Sequence, residues 1–487
     1  MASFAIPPFS LFLFIFALGF GVYLTTLRSS LKKTFISGWF LGFGWFSFGL
    51  YWIGSAFMVA ETYHKVLMPF AVIILPSILA TFWGLACVFS KLLTKKNNSS
   101  IILTIIFLTL FEYLRAKLFT GFPWLMPSIT LSSNEFLIQI FSFIGSFTAN
   151  LFVLGLSVLP FIFISNFRNK TIILSSLFIP TIVLLVLSFT RFYNKDIKKI
   201  DNLLITLVQP NIEQKDKWRP ETRNTNLKKL IQLSHQNASE IKDIKRLIIW
   251  PETSFEGSIP NETNFLSNIS KEILKDSKAI LVIGLLRVET NKLFNSLVFL
   301  NSKGNIINQY DKIHLVPFGE YIPFRDNFSA IANFLSVKDF SKGNKKPNFK
   351  LKGFGEILTL ICYEILFTNE VVARLSENTN LLINITNDAW FGKTVGPYQH
   401  LALAKIKAVE LGIPLARVAN TGISTLISPY GKEITSIPLY ESGVKTVQLV
   451  SPLENTIYKK YGEIIFLVSI FSLLIINKLS TIKIARE

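Results

Sequence analysis

The sequence predicts a multi-pass α-helical membrane bundle joined to an α/β domain, and three observations carry that prediction. Long apolar runs crowd residues 1–194 and return near the C-terminus, while residues 195–458 switch to short β-like runs, turn residues and ordinary charge. The mean hydropathy of +0.44, with 50% hydrophobic and 17% charged residues, is too apolar for a soluble enzyme and too charged for a wholly membrane-buried chain. The expected organisation is an N-terminal bundle of about six spans over 1–194, an extracytoplasmic domain over 195–458, and a last span with a short basic tail over 459–487.

A crossing helix needs about 20 apolar residues, and such stretches lie near 8–27, 35–60, 66–94, 101–119, 135–165, 171–190 and 461–477. The first has no basic residues before it and meets Arg28, Lys32 and Lys33 after it, the reverse of a cleavable signal peptide, so it is expected to stay in the membrane. The stretch 135–165 is longer than one crossing requires and reads as beginning in an interfacial helix. Short loops rich in Lys and Arg face the cytoplasm, and here they are "RSSLKK" (28–33), "KLLTKKNN" (91–98) and "NFRNK" (166–170). Alternation then puts the loops 61–65 and 120–124 and the 195–458 domain on the outer side, and returns the tail "NKLSTIKIARE" to the cytoplasm.

A net charge of +19 could suggest nucleic acid, but the basic residues sit largely in these short loops and no nucleic-acid motif accompanies them. The histidines (His64, His235, His314, His400) have no metal-ligand spacing, so neither a metal nor a cofactor is expected. Glu112 and Arg115, three residues apart at a membrane end, read as a local helix pair.

Four β-like runs of the outer domain end in polar clusters: "RLIIW" before Glu252, "NIINQY" before Lys312, "ILTLI" before Cys362, and "LLINIT" before Asn387 and Asp388. The pattern predicts strands of one sheet delivering side chains to a shared rim, because open α/β sheets bind ligands beyond the carboxyl ends of their strands. Chemistry gives the three leading residues complementary tasks. A thiolate is the reactive form of cysteine, an ammonium stabilises it, and a carboxylate can take and return its proton. Lys312 also suits the oxyanion of a tetrahedral intermediate, helped by the backbone N–H of Tyr363. A triad of Glu, Lys and Cys is expected rather than a Cys-His pair. Asn387, Asp388 and Trp390 read as a turn and a pocket wall, and the Phe-rich segment with Phe324, Phe328, Phe334 and Leu335 as a lid dipping into the bilayer.

The motifs "WPET" at 250, "YDKIHLVPFGEYIPF" at 310, "CYE" at 362 and "NDAWFG" at 387 resemble those of the nitrilase superfamily. With the spans, "TGFPW" at 120 and "QHLALAKIKAVELGIPLARVANTG" at 399, they resemble the membrane-embedded apolipoprotein N-acyltransferases of that superfamily over nearly the whole chain. The resemblance implies a nitrilase-like αββα sandwich standing on the bundle. It implies an acyl chain passing from a glycerophospholipid, preferentially phosphatidylethanolamine, to Cys362 as a thioester and on to the α-amine of a diacylglyceryl-cysteine at a lipoprotein N-terminus. Glu252 then corresponds to the general base, Lys312 to the oxyanion-stabilising lysine and Cys362 to the acylated nucleophile. Glu320 matches a second active-site glutamate, Tyr363 and Glu364 support the nucleophile, and Trp218 falls in a loop over the site; Phe318 and Trp390 join it as substrate-binding or lid residues. A monomer in a bacterial inner membrane, with its catalytic domain periplasmic, is the implied setting. Members of the family usually carry one more span ahead of the region matching "SFAIPPFSLF". The alternative reading is a membrane-tethered nitrilase-type amidase, using the same three residues with water as acceptor.

Overall fold

The computed structural model describes residues 1–59, 62–94, 100–164, 170–217, 219–236, 244–259, 263–275, 278–323, 325, 339–344 and 348–482. The apolar stretches of the first 194 residues form helices α1 (Ile15–Thr26), α2 (Leu31–Leu50), α3 (Gly54–Val59), α4 (Met68–Leu92), α5 (Ile101–Arg115), α6 (Phe141–Ile164) and α7 (Lys170–Tyr193), and a C-terminal helix covers Ile464–Ile482. Among the described residues, four helical segments are long and apolar enough to cross a membrane: Leu31–Val59, Lys65–Leu92, Leu137–Ile164 and Thr171–Tyr193. Helices suit an apolar solvent because each satisfies its own backbone. Ser30 and Ser100 cap α2 and α5 by accepting from Lys33 N and Leu103 N. Phe40, Phe48, Phe163, Ile164, Leu467 and Phe471 are left on the outside, where only lipid would welcome them.

The long stretch at 135–165 divides into a 3-10 turn, Leu137–Ile140, and α6. Gly145 in α6 has φ +67° and bends the chain, and a Cβ there would lie 2.1 Å from the Tyr458 ring. Glu112 and Arg115 are more than the local pair the spacing suggests. They are 0% and 1% exposed, and Arg115 Nη2 lies 2.5 Å from Glu112 Oε2. Trp83 Nε1 on α4 donates to Glu112 at 2.7 Å, and Arg115 Nη1 donates to the carbonyl of Phe122 in the 120–124 loop. One buried pair therefore fastens two helices and an interhelical loop.

In the α/β domain the strands are β1 (Lys199–Gln209), β2 (Lys245–Ile249), β3 (Phe255–Ile259), β4 (Ala279–Glu289), β5 (Lys292–Asn301), β6 (Ile306–Asp311), β7 (Asn348–Leu351), β8 (Gly355–Ile361), β9 (Thr379–Thr386), β10 (Leu415–Ala419), β11 (Ser424–Ile427), β12 (Glu433–Ile437) and β13 (Gly443–Val450). They do not form the single sheet the four β-like runs suggest. One sheet runs β13-β1-β2-β4-β5-β6 with β3 beside β4, and the other runs β12-β11-β10-β9-β8-β7. Glu252 and Lys312 follow strands of the first sheet, Cys362 and Asn387 strands of the second. Each sheet has a parallel centre, β1-β2-β4 and β8-β9-β10, flanked by antiparallel strands.

Alternation explains why two sheets form. Leu247 and Ile249 of β2 point into a core shared with Leu381, Ile383 and Ile385 of β9, while Ile248 and Trp250 pack under the helices Pro220–His235 and Thr263–Leu274. On the far side, Leu358, Leu360 and Leu382 pack with the helix Gly396–Leu411 and continue into the membrane bundle as one core. Four layers result, helix, sheet, sheet, helix, with the bundle against the last. Polar contacts fix the seam: Trp52 Nε1 and Trp124 Nε1 donate to Gln399 Oε1 at 3.0 and 2.8 Å, and Gln399 Nε2 donates to Gly49 O at 3.0 Å.

Arg115→Met would leave the Glu112 carboxylate buried without its partner and release the 120–124 loop. Breaking one side of a buried pair costs about 3–5 kcal/mol, so this variant should unfold at a clearly lower temperature in detergent, and Glu112→Leu/Arg115→Met should recover part of the loss. Tryptophan fluorescence during heating reads both.

Candidate active site

Three strand ends converge on the seam between the sheets. Cys362 stands immediately after β8 with φ +52°, a left-handed conformation at the head of the 3-10 turn Cys362–Leu366. Glu364 braces that turn from beneath. Its Oε2 accepts from Ile361 N at 2.8 Å, and its Oε1 accepts from Ile313 N, His314 N and Tyr310 Oη at 3.0, 3.1 and 2.7 Å. The turn that carries sulfur and the segment that carries Lys312 are thus held by one carboxylate.

Glu252 follows β2 in the connection to β3, both of which run parallel to β4, and this connection passes close over β4. Gly284 permits this: a Cβ there would lie 2.4 Å from Pro251 O and 2.7 Å from Glu252 Cα. The connection is pinned where Ser254 N donates to Gly284 O at 2.8 Å. Lys312 follows β6 and is only 1% exposed, with Nζ 2.9 Å from Glu320 Oε1 and Oε2 and 3.7 Å from Glu252 Oε1. Asn295 on β5 joins the two carboxylates, donating to Glu252 Oε1 at 2.7 Å and to Glu320 Oε1 at 2.9 Å. Glu252 Oε2 accepts from Asn387 N at 2.8 Å, and Glu320 Oε2 from Val316 N at 2.8 Å.

Electrostatics follow from these contacts. Burial, with the nearby Glu252 charge, pushes the Cys362 thiol well above its ordinary range, against the pull of Lys312. Burial also raises the Glu252 carboxyl, partly opposed by Lys312. For Lys312 burial acts the other way, but Glu320 and Glu252 outweigh it and hold the ammonium charged far into the alkaline range. The resting site is a protonated thiol beside a carboxylate of raised basicity and a fixed ammonium, an arrangement suited to proton transfer coupled to nucleophilic attack.

The structure brings Glu252, Lys312, Glu320 and Cys362 together, with Tyr363 and Glu364 against the nucleophile turn. Tyr363 Oη donates to Gly121 O of the 120–124 loop at 3.2 Å, so the residue after the cysteine touches the membrane bundle. Phe318 is 60% exposed with φ +62°, and Trp390 is 40% exposed in the turn Asp388–Phe391. Trp218, Phe324, Phe328, Phe334 and Leu335 lie outside the described residues.

Several residues escape a reading by motif. Asn295 sits mid-strand with no polar cluster around it. Lys217 is 6% exposed, donates to Glu252 O at 3.1 Å, and is pushed down to about 7 by burial. Asp388 is no mere turn residue: it is 1% exposed, ion-paired to Arg417 at 2.7 Å and hydrogen-bonded to His400 Nδ1 at 2.9 Å. His314 is adjacent in sequence to the Lys312 segment, but its Nδ1 lies 2.7 Å from Glu370 Oε1 and its ring stacks on Phe367. The turn that holds Asp388 and the midstrand setting of Asn295 carry no local signal of these partners.

This placement of Glu, Lys and Cys defines a carbon-nitrogen hydrolase domain, and residues 204–457 match the carbon-nitrogen hydrolase family. Residues 1–159 match the apolipoprotein N-acyltransferase N-terminal domain. Relatives named apolipoprotein N-acyltransferase include one from Rhodopseudomonas palustris, 31% identical over 90% of this chain and 84% of its own length. Others are from Allorhizobium ampelinum, 33% identical over 85% of this chain and 79% of its own length, and from Rickettsia bellii, 33% identical over 91% and 88%. The solved structure of Saccharomyces cerevisiae Nit3, described as a member of branch 10 of the nitrilase superfamily, aligns with 53% of this chain and 93% of its own at 19% identity and TM-score 0.40. The chain belongs to the apolipoprotein N-acyltransferase family.

Gly284→Ala should displace Glu252 while leaving Cys362 and Lys312 in place. Misplacing a reacting group by about 1 Å can cost roughly 100-fold in rate. Acyl transfer by the variant should fall on that scale, with its far-ultraviolet circular dichroism unchanged.

Proposed function

We propose that the chain moves a fatty acyl group from a glycerophospholipid, phosphatidylethanolamine first among them, through a thioester on Cys362 to the N-terminal amine of a diacylglyceryl-cysteine on apolipoproteins. The protein works as a monomer in a bacterial inner membrane, its α/β domain on the periplasmic side. The observation that carries this reading is the contact of the nucleophile turn with the bundle, Tyr363 Oη to Gly121 O. A nucleophile at the junction of a catalytic domain and a lipid-facing bundle suits two lipid-anchored substrates. The names of the relatives favour this over hydrolysis of a small amide.

In the first half-reaction Glu252 takes the Cys362 proton as sulfur attacks the ester carbonyl. Lys312 and the backbone N–H of Tyr363 face the developing oxyanion, and Glu252 returns the proton to the departing lysophospholipid alkoxide. In the second, the acceptor amine attacks the thioester, Glu252 removes its proton, and the released thiolate is reprotonated. Glu320 and Asn295 hold Lys312 and Glu252 at their distances throughout. Basic loops at 28–33, 91–98 and 166–170 support the orientation.

Without acceptor, wild type should release about one equivalent of lysophospholipid per enzyme and stop, as ping-pong chemistry requires. An intact-protein mass spectrum should then show one acyl chain, removable by hydroxylamine. Cys362→Ala and Glu252→Gln should release none; release that depends on acceptor in wild type would mean direct transfer.

The pH dependence has a fixed sign. Glu252 must be ionised to accept the thiol proton, and its carboxyl is raised by burial. Acylation should therefore rise with pH through that raised value and plateau, because Lys312 stays charged above it. Single-turnover acylation between acid and mildly alkaline pH measures the limb, and a rate that falls as pH rises through this window would remove Glu252 as the base.

A further inference from the structure

One contact of the sulfur lies outside the steps above. Thr386 Oγ1 is 3.2 Å from Cys362 Sγ and 3.0 Å from Asp388 Oδ1. Thr386 is the last residue of β9, the parallel neighbour of β8, which ends just before Cys362, and it is 0% exposed. A hydroxyl has one proton to donate, so it cannot serve both neighbours together. With sulfur as a thiol, whose proton is the one Glu252 takes, the hydroxyl donates to Asp388. With sulfur as a thiolate, the hydroxyl turns and donates to sulfur.

Asp388 is held where it can be this alternate acceptor. Arg417 Nη2 lies 2.7 Å from its Oδ2 and His400 Nδ1 2.9 Å from its Oδ1. Arg417 Nη1 also donates to Asn384 Oδ1 at 2.7 Å, and Asn384 Nδ2 donates to Cys362 O at 3.3 Å. The acceptor and the nucleophile's own backbone are therefore anchored by one guanidinium. Burial would raise the Asp388 carboxyl, but Arg417 and His400 outweigh it and hold it at about 2, ionised at any working pH.

We propose that Thr386 is a catalytic residue of the acyl transfer: its hydroxyl stabilises the Cys362 thiolate and swings to Asp388 whenever sulfur is uncharged. The proposal rests on Cys362 being the nucleophile. When Glu252 takes the thiol proton, the Thr386 hydroxyl rotates onto the thiolate without losing its own proton. As the S–C bond forms, negative charge passes to the ester carbonyl oxygen and the hydroxyl returns to Asp388. The C–O bond to the leaving alkoxide then breaks, and that alkoxide takes the proton from Glu252. In the second half-reaction, amine attack builds an oxyanion on the thioester carbon, Glu252 takes the amine proton, and the C–S bond breaks. Thr386 meets the departing thiolate until Glu252 reprotonates it. Sulfur is charged twice in each cycle, and the hydroxyl serves it both times.

The test uses full-length protein in detergent, without acyl donor, alkylated by uncharged iodoacetamide over a range of pH, with Cys362 modification read by mass spectrometry. Cys362 is partly exposed, so the reagent can reach it. Charged and titratable groups facing the sulfur are Glu252, Lys312, Asp388, Lys217 and Tyr363, all unchanged in the variants. Thr386→Val should slow alkylation roughly 10-fold to 100-fold, the scale of one hydrogen bond to a charged group, and move its pH midpoint upward. Thr386→Ser should stay within about threefold of wild type, since it keeps the donor. Thr386→Ala is read in the same way and demands less of the packing if the valine variant does not fold. Wild-type rate and midpoint in the valine or alanine variant, or a serine variant as slow as valine, would overturn the proposal. Failure of wild type to gain an acyl adduct from phospholipid would instead sink the thioester reading, an outcome this donor-free measurement does not touch.

Discussion

A charged lysine buried to 1% exposure is the constraint around which this site is organised. Removing an ammonium from water costs several kcal/mol unless partners replace the lost hydration, and Lys312 obtains them from Glu320 at 2.9 Å and Glu252 at 3.7 Å. Two carboxylates so close would repel each other without the ammonium between them. Asn295 bridges them, Val316 N and Asn387 N fill their outer oxygens, and strands of both sheets must be in register for all of these to meet. The ammonium therefore holds Glu252 and Glu320 side by side, and Glu252 in turn reaches the second sheet through Asn387 N.

Cys362 is fixed by a second set of contacts that runs into the bundle. Glu364 ties the Cys362 turn to the Lys312 segment, and Tyr363 carries the turn onto the 120–124 loop. That loop is gripped by Arg115, whose charge is balanced by Glu112 inside the helices. From the other side, Trp52 and Trp124 converge on Gln399, next to His400, which contacts Asp388. The apolar helices and the Cys362 turn are linked through two short chains of buried polar contacts. Such contacts tolerate little displacement, because each unpaired member would be left in an apolar setting.

Much of the fold class was legible in the residues. Apolar length marked the helices because a bilayer core demands it, and strand-like runs ending in Glu252, Lys312, Cys362 and Asn387 marked where chemistry gathers because parallel strands open at their carboxyl ends. The number of sheets was not legible. A run such as "RLIIW", apolar on both faces after its first residue, is equally at home in one shared sheet or in two facing ones. The Glu112–Arg115 pair was legible as a pair but its burial was not: i,i+3 spacing reports that two side chains can meet, and is silent about whether the meeting point is buried.

By itself the sequence determined the chemical inventory and its order, a carboxylate, an ammonium and a thiol each placed just after an apolar run, because those identities and adjacencies are local properties of the chain. Tertiary structure alone decided the rest. Asn295, Lys217, Thr386, His400 and Arg417 lie between 24 and 145 residues from Cys362 in the chain, and acquire their partners only when neighbouring strands and the segments that follow them pack together. A hydrogen bond or a buried charge depends on distances of a few ångströms across strands, and that information resides in packing, where every polar group taken from water must find its complement.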